Sequence, residues 1–404
     1  MKFSHYTANF KHLILGRSVR NIADSFYLVA LSLGLVAVYH IDAANLSLFT
    51  LVGMLPNLFA FLYGTYLHQL KKDKAWLLTF QTAQLFIMLS IIATLYFHGS
   101  IYLMYGLNFL FSLTTSLLNT IQMKVIPATL DNNDELINAS IDIQYVASNV
   151  IDIISNFIAS VLLTFLSYLL LMDFSIPFFI GAIYFMFRLK IKDAYFAKEN
   201  EEDEEPEEQR IRTKQSLQEF FSEKRASFII CTEAVLSGGT DLLLTLAPLY
   251  LLAEKIPLTY LGIVIATRRA ADLLGAMAAP KIKMNPYHFF SVDYMISGLA
   301  LLLIFIVPQP LLKLVCLFVA FFVIGISGNI FEKMVYEAYD HSKMALIYSV
   351  ISSLYTVFGI LFLLVPTVYD NITVLGIVIN VATILVGLSL YVRNRNYPTN
   401  RKSI

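Results

Sequence analysis

Seven of the charged residues within long apolar segments of the sequence are candidates for chemistry. They are Asp24, Asp152, Glu233, Asp241, Arg268, Arg269 and Asp272. A charge at the centre of a lipid bilayer costs about 2.5–3.5 kcal/mol on insertion scales, so such residues face a protein interior and are candidates for function. Carboxylates in that setting can bind and release protons, or they can pair with cations. The alternative interpretation is a set of fixed ion pairs that hold helices together.

The two arginines lie in one segment with a single local acid. Asp272 follows Arg268 by four residues, so the two can pair on one face of a helix. Arg268 and Arg269 carry two positive charges, and Asp272 can neutralise only one of them. We therefore expect an acid from another helix to neutralise the other. Three acids are available: Asp24, Asp152 and Asp241. A charge relay that changes with protonation and a permanent ion-pair cluster both remain open.

Polar side chains also recur at spacings of three and four residues, which places them on one face of a helix. One stripe comprises Tyr145, Ser148, Asn149, Asp152, Ser155, Asn156, Ala159 and Ser160, and another comprises Asn108, Ser112, Thr115, Asn119 and Gln122. Such a stripe indicates a water-filled path or close contact with the other half of the protein. The alternative is a set of polar residues that only pack helices together.

The segments that carry these residues are typical of an all-α membrane protein. Apolar residues make up 57% and charged residues 14% of the 404 positions, whereas a soluble chain has about 25% charged residues. A spanning helix needs about 20 mostly apolar residues. Twelve spans are predicted, at residues 13–39, 45–67, 75–97, 101–123, 138–163, 168–188, 227–252, 257–280, 288–307, 310–334, 344–366 and 372–392.

The positions of lysine and arginine predict the orientation of these spans. With both termini cytoplasmic, only Lys255 and Lys313 of the 29 lysines and arginines fall on or beside an external loop. Basic residues concentrate in the cytoplasmic loops of membrane proteins. We therefore expect an even number of helices and two cytoplasmic termini.

The twelve predicted spans form two pseudo-symmetric halves of six. The N-terminal half is residues 1–188, and the C-terminal half is residues 227–404 with a short basic cytoplasmic tail. The cytoplasmic linker, 189–226, holds eight acids among the ten residues Glu199–Glu208. Its composition predicts a solvated, disordered segment, with a regulatory role as the alternative. Repeated six-helix halves are typical of transporters, whose sites lie near the midplane between the halves.

Asp24 and Asp241 occupy matching places in the first span of each half. Asp24 has Arg20 four residues before it, while along the sequence Asp241 has only Glu233 two turns away. Desolvation in a low-dielectric cavity disfavours a charged carboxylate, and a nearby arginine opposes that effect. We therefore predict Asp241 as the proton carrier and Asp24 as a substrate or structural partner, with Asp152 as the next candidate.

Several other functions are not supported by the sequence. The chain has no glycine-rich nucleotide loop and no cysteine spacing of the metal-binding type. Its net charge is zero, so no basic field favours nucleic acid. The intramembrane acids lack the histidine or cysteine partners that hydrolysis or metal chemistry needs. We expect no enzyme activity, no catalytic residue, no cofactor and no metal.

Three motifs support a family resemblance. The loop after the second span reads Gly64-Thr-Tyr-Leu-His68-Gln69-Leu-Lys71-Lys72, a later loop is Pro127–Ser140, and the fifth span contains Ser155–Ser160. They resemble the inner gating loop, the loop between helices four and five, and the antiporter motif of the major facilitator superfamily. The similarity is greatest to its bacterial macrolide-efflux-like, drug–proton antiporter branch. This chain has His68 and Gln69 where that gating loop carries an acid and an arginine, and it lacks the glycine and proline of the antiporter motif.

The resemblance implies a secondary transporter in the bacterial cytoplasmic membrane that exports an amphipathic small molecule or drug in exchange for protons. Its partners would be that substrate, protons and the lipid bilayer, without nucleic acid, and it would be a monomer. Gly64, His68, Lys71 and Lys72 would form the inner gate. The proton or substrate site would draw on Asp24, Asn119, Gln122, Asn149, Asp152, Glu233, Asp241, Arg268, Arg269 and Asp272. Alternatives are a dedicated exporter of a self-made peptide or antibiotic, or a non-transporting membrane sensor or immunity protein.

Overall fold

The computed structural model describes residues 6–58, 72–131, 150–190, 218–257, 260–339 and 344–395, and the single positions 133, 136, 140 and 143. Helices and short connections make up this part of the chain, and no strand occurs in it. The helices are α1 (Ala8–Tyr39), α2 (Ala43–Leu58), α3 (Asp73–Tyr96), α4 (Ile101–Thr129), α5 (Ile151–Leu163), α6 (Tyr168–Arg188), α7 (Lys224–Thr245), α8 (Ala247–Ala253), α9 (Tyr260–Ala278), α10 (Pro286–Ile306), α11 (Pro310–Ala338), α12 (Met344–Leu364) and α13 (Ile372–Arg395).

Nine helices within the described ranges are long and apolar enough to cross a membrane, so the protein is a multi-pass membrane protein. The remaining three predicted spans correspond to α2, α5 and α9. Helices α2 and α5 are short, at 16 and 13 residues, and each adjoins residues outside the described part. Helix α9 is 19 residues long and contains Arg268, Arg269 and Asp272, which lower its apolar character. The count of twelve spans stays a prediction.

One predicted span is interrupted, and another has the predicted bounds. The seventh predicted span, 227–252, is divided at Leu246 into α7 and α8, with Pro248 in the first turn of α8. Proline lacks the N–H group that would continue the hydrogen-bonding of a preceding helix. The predicted span 168–188 is confirmed, because α6 begins at Tyr168 and ends at Arg188. Its N-cap is Ser167, whose hydroxyl accepts a hydrogen bond from the Leu170 N–H.

The chain divides into two compact units, Met1–Glu205 and Pro206–Ile404. In the N-terminal unit, α1 packs against α5 and α6, and α4 packs against α2 and α3. Large buried side chains in this unit include Phe10, Tyr27, Met88 and Phe179. In the C-terminal unit, α9 packs against α11, α10 packs against α11 and α13, and α7 packs against α12. The predicted linker, 189–226, spans the division between the units, and its residues 191–217 lie outside the described part.

Helices α9 and α11 approach each other at two glycines. A Cβ atom at Gly275 would clash with the backbone carbonyl oxygen of Phe322, and one at Gly325 would clash with the backbone of Asp272. Only glycine allows two helix backbones to come this close. The contact at Gly325 fixes the part of α9 that carries Arg268 and Asp272.

Candidate functional site

A buried arginine lies at the centre of the polar cluster in the N-terminal unit. The Arg20 residue is 2% exposed, and its Nε lies 3.6 Å from Asp24 Oδ2, one turn further along α1. Its Nη2 donates a hydrogen bond to the Asn119 side-chain oxygen on α4. The charge of Asp24 is therefore balanced within its own helix.

The opposite side of Asp24 faces a glutamine that the sequence analysis missed. Gln84 Nε2 on α3 lies 3.4 Å from Asp24 Oδ1 and donates to Thr115 Oγ1 at 2.9 Å. Gln81 Nε2 donates to Gln84 Oε1 at 3.3 Å. The spacing of two glutamines by three residues within an apolar span is the signal that could have identified this pair. Together these bonds connect α1, α3 and α4.

Asp152 on α5 is also hydrogen-bonded within the N-terminal unit. Asn156 Nδ2 donates to Asp152 Oδ1 at 2.9 Å and approaches Ser25 Oγ on α1 at 3.1 Å. In the described part of the α5 stripe, Asp152 is half-buried, whereas Ser155, Asn156, Ala159 and Ser160 are buried. This face packs against α1 of the same unit, and the water-filled path or contact with the other half stays a prediction. The stripe residues Tyr145, Ser148 and Asn149 lie outside the described part.

The remaining predicted residues of this unit are dispersed. Gln122 is 1% exposed, and neither its amide nitrogen nor its amide oxygen has a hydrogen-bond partner. Lys72 is exposed just before α3, and the gate residues Gly64, His68 and Lys71 lie outside the described ranges. Beside Lys72, the sequence analysis missed a buried ion pair in which Lys124 Nζ lies 2.8 Å from Asp73 Oδ1.

In the C-terminal unit, Arg268 brings together three groups from three helices. Its Nε lies 3.9 Å from Asp272 Oδ2 on α9, and its guanidinium lies 5.0 Å from the centre of the Phe321 ring on α11. Arg268 also interacts electrostatically with Asp241 on α7, which is exposed. Arg269 interacts with Asp272. Asp241, one of the three acids that the sequence offered as a partner for these arginines, therefore has Arg268 as a neighbour.

A second acidic group lies between α7 and α10. Glu233 on α7 accepts a hydrogen bond from the Tyr294 hydroxyl on α10 and interacts electrostatically with the neighbouring Asp293. Asp293 is 2% exposed, and its Oδ1 has no hydrogen-bond partner. The sequence analysis missed Asp293 because it lies only five residues after His288, in a region interpreted as the end of a span.

An apolar cavity of about 100 Å³ lies within the C-terminal unit. Its lining is mostly aliphatic and aromatic and includes Thr240, Phe305, Leu317 and Phe321. Lys313 also lines it, and this buried ammonium group is 2.6 Å from both Tyr250 Oη and Glu254 Oε2. Thr240 directly precedes Asp241, and the Phe321 ring lies against Arg268, so the cavity adjoins the Arg268 group.

No cluster of three or more metal-ligating side chains occurs among the residues that the structure describes. The described residues form three separate features. The N-terminal unit holds a charge-balanced polar cluster. The C-terminal unit holds a pair of neighbouring acids and an apolar cavity beside an arginine with two acid partners. Carboxylates of the second and third features can take up protons, and the cavity can receive an apolar group.

Comparisons with known proteins agree with this architecture. The structure is similar to that of the nucleoside transporter NupG, with 13% identity, a TM-score of 0.70, and coverage of 97% of this chain and 100% of that chain. It is also similar to a bacterial homologue of the iron transporter ferroportin in an inward-facing state, with 11% identity, a TM-score of 0.71, and coverage of 98% and 100%.

A third similar structure is the peptide transporter POT in complex with sulfate, with 10% identity, a TM-score of 0.70, and coverage of 98% of this chain and 96% of that chain. At such identities the likeness concerns the fold alone. A search of curated proteins finds no match. A sequence profile described as Major Facilitator Superfamily matches residues 13–363. The chain therefore belongs to the Major Facilitator Superfamily, a family of membrane transporters.

Proposed function

We propose that the protein is a proton-coupled secondary transporter that exports an amphipathic small molecule by alternating access. It acts as a monomer in a bacterial cytoplasmic membrane, with both termini in the cytoplasm. The observation that carries this proposal is the apolar cavity of the C-terminal unit, which adjoins the group formed by Asp241, Arg268 and Asp272. Such a site offers one surface to an apolar body and another to a polar end.

The size and lining of the cavity support an amphipathic substrate. Burial of apolar surface contributes about 25 cal/mol per Å², and the lining of Leu317, Phe305 and Phe321 provides that surface. A cavity of about 150 Å³ holds benzene, so a cavity of about 100 Å³ receives part of a molecule, such as a short alkyl group or a ring edge. Arg268 is then available to a polar or anionic end of the same molecule.

Proton coupling is supported by the acid that faces Arg268. Asp241 is exposed, so a proton can reach it, and its interaction with Arg268 depends on its charge. Protonation of Asp241 would leave Arg268 paired with Asp272 on its own helix. The strength of the charge beside the cavity would therefore change with proton loading. The outward direction rests on the resemblance of the Pro127–Ser140 loop to the drug–proton antiporter branch.

The experiment is whole-cell accumulation of a panel of amphipathic compounds, with and without a proton-gradient uncoupler. We expect the protein to lower accumulation of some compounds and the uncoupler to restore it. A Leu317→Trp variant should fill the cavity and reduce this export at least tenfold. The matched control is Leu311→Trp, because Leu311 lies on the same helix but is 75% exposed.

Other outcomes would replace this proposal. Export of the panel by Leu317→Trp at the wild-type rate would exclude the cavity as the substrate site. Export of a single compound from the host's own biosynthesis would identify a dedicated exporter of a peptide or antibiotic. The absence of any flux, with folded protein in the membrane, would favour the sensor or immunity alternative.

A further inference from the structure

We propose that Glu233 and Asp293 form a proton-binding site in the C-terminal unit, in which the two carboxyl groups hold one proton between them. The site lies between α7 and α10 and is separate from Asp241. Its role in coupling rests on the proposed proton-driven transport, whereas the binding of the proton does not.

Asp293 is buried and Glu233 is half-buried between α7 and α10. The Tyr294 hydroxyl donates to Glu233 Oε2, which satisfies one oxygen of that carboxyl group. Asp293 adjoins Tyr294 in sequence, is 2% exposed, and interacts with Glu233. Asp293 Oδ1 is buried without a hydrogen-bond partner. An unpartnered buried oxygen beside a second carboxyl group is a position where an added proton would gain a hydrogen bond.

The surrounding helices supply hydroxyl groups to the pair. Ser327 on α11 approaches Asp293, but its hydroxyl completes no hydrogen bond. Ser297 on α10 donates at 2.7 Å to the Asp293 backbone carbonyl. Tyr355 on α12 interacts with Glu233.

A charged group of α13, Arg393, lies against another residue of α7. The guanidinium of Arg393 is 4.9 Å from the centre of the Phe228 ring, and Phe228 is more than one turn before Glu233 on α7. On α7 itself, Asp241 lies two turns after Glu233 and interacts with Arg268. Within the described ranges, the groups found to interact with Glu233 and Asp293 are therefore acids and hydroxyls, not cations.

Two like charges in this setting cannot both persist. An ionised carboxylate moved from water to an apolar interior without a cation is very costly, and the group neutralises instead. When two carboxyl groups share a site, one proton is held strongly and belongs to the pair. One shared proton leaves a single negative charge, which the Tyr294 hydroxyl stabilises.

Loss of this proton would place two negative charges at the side-chain contact between α7 and α10. The repulsion would act across the contact of Glu233 on α7 with Asp293 and Tyr294 on α10. Proton release would then favour separation of these two helices, and proton uptake would favour their contact. The pair could thus convert proton loading into a change of helix packing, which a fixed ion pair could not do.

Infrared difference spectroscopy of the purified protein in lipid nanodiscs tests the site directly. The carbonyl stretch of a protonated carboxylic acid should disappear as the pH is raised, and Glu233→Gln and Asp293→Asn should each remove or shift that band. The conservative Asp293→Glu variant should retain a titrating band, which separates loss of the site from loss of folding. Glu337→Gln is the matched control, because Glu337 is an exposed acid near Lys333 on α11.

An unchanged titrating band in both Glu233→Gln and Asp293→Asn would overturn the proposal. Loss of the band on replacing choline chloride with sodium chloride at constant pH would also overturn it, because the occupant would then be a metal cation. In vesicles, both variants should lose uphill transport at least tenfold while downhill exchange continues. If transport by the wild-type protein did not depend on the proton gradient, the proposed function would be contradicted. The spectroscopic evidence for proton binding at Glu233 and Asp293 would not be affected.

Discussion

In the N-terminal unit, Arg20 lies between Asp24 and Asn119, and Gln84 bonds to the far side of Asp24. In the C-terminal unit, Glu233 and Asp293 approach each other among hydroxyl groups, without a cation among the described groups that interact with them. Both groups lie on helices that are long and apolar enough to cross a membrane. The balance of charge therefore distinguishes a cluster that holds helices together from one that can exchange a proton.

The largest effect should come from breaking the balanced cluster. Arg20→Met would leave Asp24 as an uncompensated charge and remove the hydrogen bond to Asn119. Removal of one partner of a buried ion pair costs about 3–5 kcal/mol. We expect a loss of that size in the free energy of unfolding, measured by thermal unfolding in detergent, and recovery of most of it in Arg20→Met with Asp24→Asn.

The same measurement on the C-terminal pair sharpens the comparison. Asp293→Asn should change the free energy of unfolding by less than about 1 kcal/mol, because it removes an acid that has no cation partner and keeps an amide that can hydrogen-bond. An equal loss in Arg20→Met and Asp293→Asn would show that the two clusters do not differ in charge balance.

The close approach of α9 and α11 predicts an effect smaller than that of Arg20→Met. Gly325→Ala would place a methyl group against the backbone of Asp272, which cannot move aside as a side chain can. Overpacking of this kind costs typically about 1–3 kcal/mol. Gly328→Ala, one turn further along α11, meets nothing within 4 Å and should be neutral or stabilise the helix by up to about 1 kcal/mol. Equal melting temperatures for the two variants would contradict the close approach.

The close contact of α9 with α11 has a counterpart in the N-terminal unit. At Gly16 on α1, an added Cβ would meet first the flexible end of the Met186 side chain on α6. That end can shift at little cost, so Gly16→Ala should destabilise the protein less than Gly325→Ala. The comparison separates a tolerant helix contact in the N-terminal unit from a strict one that positions Arg268 and Asp272.

The next effect concerns transport and the partners of Arg268. Reversal of its charge in Arg268→Glu should reduce uphill transport about tenfold, equivalent to about 1.4 kcal/mol, because Asp241 and Asp272 would then face a third acid. Reversal of Asp241 in the same protein, Asp241→Arg, should restore part of the rate, since the two groups interact. Failure of this acid-to-base change to rescue Arg268→Glu would remove Asp241 as its partner.

Asp241→Asn tests the same group in its neutral state. This variant mimics a protonated Asp241, so it should lose uphill, proton-coupled transport while downhill exchange remains measurable. Full uphill transport in Asp241→Asn, measured in vesicles, would exclude Asp241 as a carrier. If Glu233→Gln then abolished uphill transport, the unbalanced pair would be the coupling site.

The sequence predicted the helices better than the partners of their polar residues. Long apolar runs and the spacing of four residues were sufficient for the ion pairs of Arg20 with Asp24 and Arg268 with Asp272, because both lie within one helix. The contacts of Gln84 with Asp24 and of Glu233 with Tyr294 join helices distant in sequence. Helix periodicity defines a face but not the helix opposite it.

The hydropathy pattern also could not predict where a helix is interrupted. The division of one predicted span at Leu246 depends on a missing backbone donor at Pro248, which hydropathy does not register. Asp293 escaped notice because its depth in the bilayer depends on where α10 begins, and Pro286 and the Asn285 cap set that point. The two clusters differ in charge balance. To predict that property, one must know the positions of several helices at once.

The smallest effect on stability is expected from changes to the acidic segment, where charged residues are most concentrated. Glu199–Glu208 holds eight acids among ten residues, in a segment outside the described part. We propose that this segment is cytoplasmic, where its carboxylates remain hydrated and cost almost nothing, unlike Asp24 or Asp293 inside a helix bundle. Its replacement by a neutral flexible linker of equal length should leave membrane insertion unchanged, as judged by the yield of folded protein. The melting temperature should also be unchanged. Loss of insertion would contradict a linker role, whereas normal insertion with slower transport would identify the acidic segment as a regulatory element.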